Sequence, residues 1–448
     1  MPDPKRYLDT ESLTPHLKRA TVRGGAYTLL AQAAKFVLGF GATVVLARLL
    51  TPADYGLVAM VAAFMSFAAI FRDLGLSMAT VQQSKVTHDQ VSTLFWVNQA
   101  IGLLLTIVVA ACAPLVVWFY DTPALHDVTL ALATTFLLGG LTIQHQALLR
   151  RQMRFRALAA IEVASLAVGT GVAVLLALSG AGYWALVLRE ITVAFVIAVG
   201  VWLFCGWRPG LPRRRSGSKA MLAFGSNLTA YNIINYFSRN MDRILIGRRW
   251  GDQQLGLYSK AHRLLMLPIH QIQMPMASVA IPALSRIKDD PERYRRYYCS
   301  AMTLIGYVTT PMVVAMAVLA TEVVDLALGE QWQEAGPIFR VLVIAALGRP
   351  IMDANYWIYI SLGRARRMLV WGAVSAPLFV LAFVLGLPKG AMGVAQGFAV
   401  CSLVLRGPAF LWALRGSPVG IGDLWRATYR STVLSAVMLI VMIPVRSA

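Results

Sequence analysis

Long apolar segments recur along the whole chain and are separated by short polar loops. Each segment is about as long as the 20 residues that cross a bilayer as a helix. The candidate spans are residues 23–49, 55–79, 90–119, 127–149, 158–178, 182–206, 219–248, 256–284, 297–327, 334–361, 367–386 and 391–413, with a further apolar run at 428–444. Barrel strands would alternate with period two, and that pattern is absent. The chain is therefore predicted to be an all-α polytopic membrane protein with 12–13 transmembrane helices.

A basic stretch rich in proline and glycine, residues 207–218, separates the first six spans from the next six. A weak repeat at an offset of 200 aligns Arg48 and Gly56 with Arg248 and Gly256. Parallel repeats in transporters place the substrate pathway at the repeat interface, so we expect two six-helix lobes around a central cavity. The predicted divisions are an N-terminal segment 1–22 with a weak amphipathic pattern, a lobe 23–206, the linker 207–218, a lobe 219–413 and a C-terminal segment 414–448.

Composition and charge agree with this class of protein. The chain is 58% hydrophobic and 14% charged, whereas about a quarter of the residues in a soluble domain are charged. With the N-terminus in the cytoplasm, 27 lysines and arginines fall in cytoplasmic segments, against 5 in outer loops and the C-terminal tip. The positive-inside rule therefore favours a cytoplasmic N-terminus. Because the same rule explains the net charge of +20, we predict no nucleic-acid partner.

Motifs of enzymes and metal sites are missing from the sequence. The four cysteines lie far apart and form no CxxC pair, so they predict neither a metal site nor a disulfide framework. No span carries HExxH, a glycine-rich phosphate loop or a Ser/His/Asp set, and the loops are too short for a nucleotide-binding domain. We predict no metal, no cofactor and no enzymatic activity.

Polar residues interrupt the seventh span at helical spacing. Asn235, Arg239 and Asp242 lie four and three residues apart, which places them on one helix face. Arg243 lies one turn beyond Arg239, and Lys35 of the first span aligns with Asn235 in the repeat. Charges at membrane depth are costly and usually face a protein interior or a water-filled cavity. The seventh span is therefore expected to line a polar cavity.

This basic cluster continues past a predicted tight outer turn, where Lys260 and Arg263 follow in the next span. Arginine makes forked contacts with phosphate, and lysine adds a point charge. An anionic ligand is the functional interpretation, and internal ion pairing with snorkelling at the interface is the alternative. The predicted substrate-binding residues are Lys35, Asn235, Arg239, Arg243, Lys260 and Arg263.

Acidic side chains in or near the spans are candidates for coupling to H⁺ or Na⁺. A coupled transporter needs a carboxylate that binds the ion at membrane depth. We predict three candidates for this role, Asp242, Asp353 and Glu190. For each of them, pairing with a local cation is the alternative.

Three stretches of the sequence resemble the polysaccharide transporter family, the Wzx-type flippases of the multidrug/oligosaccharidyl-lipid/polysaccharide (MOP) exporter superfamily. ARLLTPADYGLVAM (Ala47–Met60) is similar to the outer turn between the first two spans of that family. HQALLRRQMRFRALA (His145–Ala159) is similar to the inner loop after the fourth span, and RNMDRILIGRRWGDQQLGLYSKAHRLLMLP (Arg239–Pro268) to the most recognisable block. The C-terminus departs from the family, because many relatives carry two further helices and this chain has one further apolar run.

The resemblance implies two six-helix lobes that work by alternating access in the bacterial plasma membrane. It implies a substrate, an oligosaccharide on an undecaprenyl pyrophosphate carrier, which moves from the inner to the outer leaflet for exopolysaccharide, capsule or lipopolysaccharide O-antigen. Membrane lipids and the polysaccharide assembly machinery are the other implied partners. The sequence leaves open a drug/cation antiporter of the same superfamily, a membrane-embedded polysaccharide polymerase or ligase, and a non-transporting assembly subunit. A cationic cavity disfavours the antiporter, and short outer loops disfavour the polymerase.

Overall fold

A computed structural model gives the fold, and its regular elements are helices throughout the part of the chain that it describes. The chain divides into two compact units, Met1–Tyr236 and Phe237–Ala448. Most of the predicted N-terminal segment and residues 213–218 of the predicted linker lie outside the described residues. The structure describes residues 17–73, 76–82, 86–212 and 219–447.

The first unit is built around α6, the most deeply buried of its helices. Helices α2, α3, α4, α5 and α8 all pack against α6, while α1 packs against α7. Local signals explain where two helices begin, because Thr51 and Thr87 form capping boxes with Asp54 and Gln90. The helices are α1 (Leu17–Leu49), α2 (Pro52–Ala69), α3 (Leu76–Gln82), α4 (His88–Ala111), α5 (Ala113–Tyr120), α6 (Leu125–Arg151), α7 (Phe155–Leu178) and α8 (Trp184–Cys205).

The start of the predicted linker packs onto the first unit. The Trp207 indole N–H donates to Nδ1 of His88 at 3.2 Å, and the Gly210 backbone N–H donates to Oγ of Ser92 at 3.0 Å. Trp207 is also buried in the hydrophobic core formed by α4, α6, α7 and α8. After it leaves α8, the chain therefore packs over residues 207–210 against the first turns of α4.

The second unit is organised around α10, which contacts α11, α12, α13 and α18. Its core also includes the ends of α9 and α17, with Leu284 and Leu414 packed against Tyr294 and Tyr298. The helices are α9 (Lys219–Arg286), which begins before the unit boundary, α10 (Pro291–Val318), α11 (Ala320–Leu328), α12 (Ala335–Ala346), α13 (Arg349–Asp353), α14 (Asn355–Ser361), α15 (Ala365–Gly386), α16 (Gly390–Val404), α17 (Arg406–Leu414) and α18 (Ile421–Ser447). Short 3-10 turns at Glu330–Trp332 and Leu387–Lys389 join α11 to α12 and α15 to α16.

Helix α9 is divided by a glycine turn. Its 68 residues would extend about 100 Å as a straight helix, far more than the ~30 Å of hydrocarbon in a bilayer. Gly251 interrupts it with φ 78° and ψ −169°, a conformation that strongly favours glycine. The chain thus forms two arms, before and after Gly251. This confirms the predicted sequence of helix, tight turn and helix.

The predicted spans coincide with helices, although five of them are divided. The 55–79 span divides into α2 and α3, and the 334–361 span divides into α12, α13 and α14. The spans 90–119, 297–327 and 391–413 divide at Cys112, Leu319 and Leu405, respectively. Within the described residues, nine helical runs are long and apolar enough to cross a membrane, or ten if one bent pair counts as a span. Two of the nine, Asn240–Arg286 and Arg366–Leu414, are 47 and 49 residues long, so each contains more than one crossing. The all-α membrane fold is confirmed.

The last apolar run forms α18, which packs along α10 in parallel. Thr303 Oγ1 donates to the Ala427 carbonyl at 3.0 Å. One turn further, a Cβ added at Gly306 would lie 2.6 Å from Oγ of Ser431. Small residues of this kind let two helix backbones approach closely within a membrane. The last helix therefore packs beside α10 and runs in the same direction.

Candidate functional site

The turn at Gly251 brings the two arms of α9 side by side. Asp242 lies on the first arm, and Tyr258 lies at the start of the second. The Tyr258 hydroxyl donates to Oδ2 of Asp242 at 2.8 Å, and the Arg243 backbone N–H donates to Oδ1 at 2.8 Å. Asp242 is 7% exposed and Tyr258 is fully buried. The carboxylate is thus held inside the second unit by two donors.

Arg243 extends this cluster towards the second arm. Its Nη2 atom lies 3.5 Å from Nδ1 of His262, which can accept from the guanidinium when that ring nitrogen carries the lone pair. The His262 ring stacks on Tyr258, with centroids 6.3 Å apart and planes at 20°. In the described part of the chain, the buried Nε of Arg243 has no hydrogen-bond partner. The Arg243 guanidinium therefore keeps one unsatisfied donor N–H.

Lys260 supplies a second cation on the second arm. It is 4% exposed, and its Nζ lies 5.6 Å from the ring centroid of Trp332, a geometry that allows a cation–π interaction. Trp332 is fully buried in the 3-10 turn between α11 and α12. Lys260 is thus buried, whereas Arg263, which is also in the predicted set, is exposed.

A broken helix contributes a third cation. The chain bends by 49° between α12 and the helical segment that follows, and Gly348 adopts φ 74° at the break. Arg349 follows directly, and its charge acts on both Tyr258 and His262. Arg406 donates to the Ala345 carbonyl at 3.4 Å, which provides a partner for the freed end of α12. Transporters often form their binding sites at such discontinuous helices.

Asp353, one of the predicted coupling residues, follows Arg349 by one helical turn. Its Oδ2 atom is 3.8 Å from Nε of Arg349 and accepts from Nε2 of Gln273 at 3.0 Å. The Asp353 side chain is 46% exposed, while that of Arg349 is 33% exposed. Asp353 therefore combines a weak ion pair with access to solvent.

The remaining predicted residues fall into two groups. Lys35 pairs with Glu162 at 2.6 Å, and Glu190 pairs with its neighbour Arg189 at 2.8 Å. Both pairs lie in the first unit. Asn235 and Arg239 lie on the first arm of α9, but their side chains are outside the described residues. The roles predicted for these residues remain predictions.

Sequence reasoning missed His262 and gave Arg349 no role of its own. His262 follows Tyr258 by four residues, the spacing that places two side chains on one helix face. Arg349 stands in Gly-Arg-Pro within an otherwise apolar span, and that triplet is a signal for a break. Neither signal reveals that His262 lies near Arg243 or that Arg349 approaches Tyr258 and His262, because both contacts depend on how separate helical segments pack.

The first unit has a buried polar network of a different kind. Nε2 of Gln144 donates to Oδ1 of Asn98 at 2.9 Å, and the Thr80 hydroxyl lies 2.9 Å from Oε1 of Gln144. All three side chains are fully buried. Arg151 donates to the Thr80 carbonyl at 3.1 Å. These contacts join α3, α4 and α6. Within the described ranges, no three His, Cys, Asp or Glu side chains gather as metal ligands would.

The fold of this chain is similar to the folds of solved membrane transporters. The chain superposes on the lipid II flippase MurJ in its inward closed conformation with a TM-score of 0.74 and 14% identity, over 94% of this chain and 93% of that one. An inward-facing multidrug resistance MATE family transporter of the MOP superfamily gives a TM-score of 0.64 and 15% identity, over 86% of this chain and 94% of that one. At these identities the similarity defines the fold alone, and it confirms the predicted fold.

The sequence comparisons identify the family. Residues 45–337, more than half of the chain, match the family described as "Polysaccharide biosynthesis protein", so the chain belongs to that family. The lipopolysaccharide biosynthesis protein WzxC of Escherichia coli (strain K12) is 24% identical over 87% of this chain and 80% of its own length. The teichuronic acid biosynthesis protein TuaB of Bacillus subtilis (strain 168) is 26% identical over 75% and 71%, respectively. The succinoglycan biosynthesis transport protein ExoT of Rhizobium meliloti (strain 1021) is 26% identical over 74% and 68%.

Proposed function

We propose that this protein is a flippase for a lipid-linked oligosaccharide in polysaccharide biosynthesis, working by alternating access rather than as an enzyme. The family, the relatives' roles in making teichuronic acid, lipopolysaccharide and succinoglycan, and the fold shared with a lipid II flippase support this proposal. The observation that carries it is the cationic cluster inside the second unit. A pyrophosphate and a glycan cannot cross hydrocarbon unaided, and buried cations can hold them while the lipid tail stays in the bilayer.

Arg243, Lys260 and Arg349 are proposed as the centre of the anion site. The buried N–H of Arg243 gives it a free donor, and Arg349 lies at the break of a helix, where backbone groups are also released. Arg239, Asn235, Lys35 and Arg263 are proposed as further contacts with the pyrophosphate or the glycan. Glutamine in place of Arg243 is therefore expected to weaken head-group binding more than a change at exposed Arg263.

Asp353 is the strongest of the three candidates for H⁺ or Na⁺ coupling. A coupling carboxylate must exchange its ion with water during the cycle. Asp353 is solvent-accessible, and its nearest cation is 3.8 Å away. Asp242 is buried between two donors, and Glu190 is paired at 2.8 Å with Arg189. We expect Asp353→Asn to remove ion dependence of transport while the protein still binds the head group.

We propose a location in the bacterial plasma membrane with the N-terminus in the cytoplasm. The 27 to 5 distribution of lysine and arginine between predicted cytoplasmic and outer segments supports this orientation. Cysteine labelling of intact cells tests the orientation. An engineered cysteine in the loop after α10–α11, at Gln331, should react with a membrane-impermeant reagent, and one at Lys288 should not.

The function is tested by lipid extraction from a deletion strain and its parent, with mass spectrometry of undecaprenyl-linked sugars and an assay of surface polysaccharide. Full-length repeat units should accumulate while the polymer disappears. The native gene should restore export, whereas Arg243→Gln should restore it poorly at equal protein level. Unchanged lipid-linked sugars and unchanged polymer, in a strain with no second transporter of this family, would refute the proposal.

A drug/cation antiporter is the second candidate, favoured by the fold shared with multidrug transporters at a TM-score of 0.64. The buried cations argue against it, because they would repel cationic drugs. Drug susceptibility of the deletion strain separates the two functions. Increased sensitivity together with normal polysaccharide would support the antiporter.

A further inference from the structure

A groove of about 480 Å³ opens between the starts of α10 and α18, away from the cationic cluster of α9. Three exposed arginines line it: Arg295 and Arg296 from α10, and Arg426 from α18. A volume of this size lies within the range of small-molecule sites. The charge count assigns this end of both helices to the cytoplasm. The groove therefore lies at the predicted cytoplasmic membrane surface.

The three arginines keep their hydrogen-bond donors available. Across the residues that the structure describes, no carboxylate lies within 4.0 Å of any of these guanidinium groups. Two carboxylates also line the groove. Asp423 accepts from the Gly420 backbone N–H at 2.9 Å. Glu292 lies in the first turn of α10, where the helix dipole stabilises a negative charge. An anion entering the groove would meet donors that are not already occupied.

Hydroxyl groups form the floor of the groove. Ser300 donates to the Arg296 carbonyl at 2.9 Å, and Thr303 donates to the Ala427 carbonyl at 3.0 Å. Because their protons are used in these bonds, the two hydroxyl oxygens are left as acceptors. The groove thus offers cations for a phosphate and acceptors for the hydroxyls of an attached polyol.

An apolar surface continues from the groove towards the membrane interior. Leu304 and Val308 on α10 and Val433 on α18 are 56%, 47% and 57% exposed. Trp425 and Tyr297 are exposed beside the arginines, at the level where aromatic side chains mark a membrane interface. A ligand of this site would therefore have an anionic head and apolar chains.

We propose that this groove binds the head group of an anionic phospholipid of the phosphatidylglycerol type, in the leaflet that faces the cytoplasm. Basic pockets between membrane helices on the cytoplasmic side bind such head groups. The phosphate bridges the arginines of α10 and Arg426 of α18, and the glycerol hydroxyls donate to Ser300 and Thr303. The bound lipid removes the repulsion among three like charges and holds α18 against α10. Only the choice of leaflet rests on the proposed orientation.

The test uses the full-length protein, delipidated in detergent and returned to vesicles of phosphatidylcholine with increasing phosphatidylglycerol. Native mass spectrometry counts the phosphatidylglycerol retained, and thermal unfolding reports stabilisation. Arg295→Gln or Arg426→Gln should weaken retention about fivefold each, and the variant lacking all three arginines roughly 100-fold. Phosphatidylglycerol should raise the unfolding temperature of the native protein more than that of either single variant.

Two variants serve as matched controls. Arg293→Gln removes the same charge from an exposed position on the same helix, outside the groove lining, and should retain the lipid as the native protein does. Glu292→Gln removes a carboxylate that lines the groove and should strengthen retention of the lipid. If Arg293→Gln and Arg295→Gln lost equal amounts of retained phosphatidylglycerol, the lipid would be attracted by the diffuse positive charge of the surface. That result would overturn the proposal.

The lipid carrier of the proposed substrate is the competing occupant. In the same assay, undecaprenyl phosphate is added at equimolar concentration with phosphatidylglycerol. Retention of phosphatidylglycerol supports the proposal, and its displacement by undecaprenyl phosphate overturns it. Binding of undecaprenyl pyrophosphate, the proposed ligand of the α9 cluster, is measured on the same variants. An unchanged α9 cluster with a lost groove lipid shows that the two sites are independent.

Discussion

The polar interiors of the two units differ in charge. The first unit buries a mainly neutral network of Thr80, Asn98 and Gln144, in which amides and a hydroxyl pair with one another and the Arg151 side chain donates to the Thr80 carbonyl. The second unit buries Asp242 and Lys260 within a cluster that also contains Arg243. A paired neutral network positions helices, while a cluster with surplus cations is suited to bind an anion. We therefore expect the second unit to contribute more than the first unit to binding of the anionic head group.

The largest expected effect is at Asp242. Asp242→Ala removes the acceptor of the Tyr258 hydroxyl and leaves the nearby charge of Arg243 without a buried counter-charge. The expected loss is about 3 kcal/mol in the free energy of unfolding. Chemical unfolding of the purified protein measures it. Asp252→Ala, at the turn, is the matched control and should change stability by less than about 0.5 kcal/mol. Equal stability of the two variants would contradict a structural role for Asp242.

Arg243→Gln is expected to weaken ligand binding and also to lower stability, because it removes the cation nearest to the buried Asp242 carboxylate, so binding is compared at equal amounts of folded protein. A lost hydrogen bond to a charged group weakens binding about 10- to 100-fold. Titration with undecaprenyl pyrophosphate measures the change in Kd, and an export assay follows its consequence. Arg249→Gln removes the same charge from an exposed position on the same arm and should bind as the native protein does. Matching Kd values for the two variants would remove Arg243 from the site.

Gln144→Leu tests the neutral network. It leaves the Asn98 carbonyl oxygen without its donor, and it removes one of the two acceptors of the Thr80 hydroxyl, which keeps the Leu76 carbonyl. The expected cost is about 2 kcal/mol of unfolding free energy. Export per folded molecule should stay unchanged. Adding Thr80→Val should recover part of the loss, because a missing partner matters less when both polar groups are gone. An export defect at full stability would show that the neutral network also binds substrate.

The smallest expected effect on stability is at the Lys35–Glu162 pair. Their side chains are 28% and 42% exposed, so the coupling between them should be below about 1 kcal/mol in a double-mutant cycle. Export separates two roles of Lys35. If Lys35 also contacts substrate, Lys35→Gln should reduce export severalfold, while Glu162→Gln should leave it intact. Equal export in both variants would restrict Lys35 to pairing.

Much of the fold follows from the sequence because membrane helices carry strong local signals. A run of about 20 apolar residues determines a helix largely by itself. The glycine turn at residue 251 could be located in the same way, since the polar residues around it interrupt an apolar run. The division of the 334–361 span was not foreseen. It depends on Gly348 and on Arg406, which supplies a hydrogen-bond donor from another helix.

The candidate site was predicted only in part. Asp242, Arg243 and Lys260 were recognisable because a charge in an apolar run is costly unless it is partnered or functional. Pairing partners were not recognisable, because Tyr258 meets Asp242 across the turn and Arg349 approaches from α13. The pairing of Lys35 with Glu162 joins residues 127 positions apart. No local pattern encodes such distances.

By itself, the sequence determined the class of this protein: helical, polytopic and basic inside its bundle. These properties come from composition and from short-range periodicity, which do not depend on how helices pack. The tertiary structure alone decided which charges are neutralised and which keep free donors, as Arg243 and the α10–α18 groove do. Electrostatic partners act over a few ångströms, and only the packing of separate helices determines which residues come within that distance.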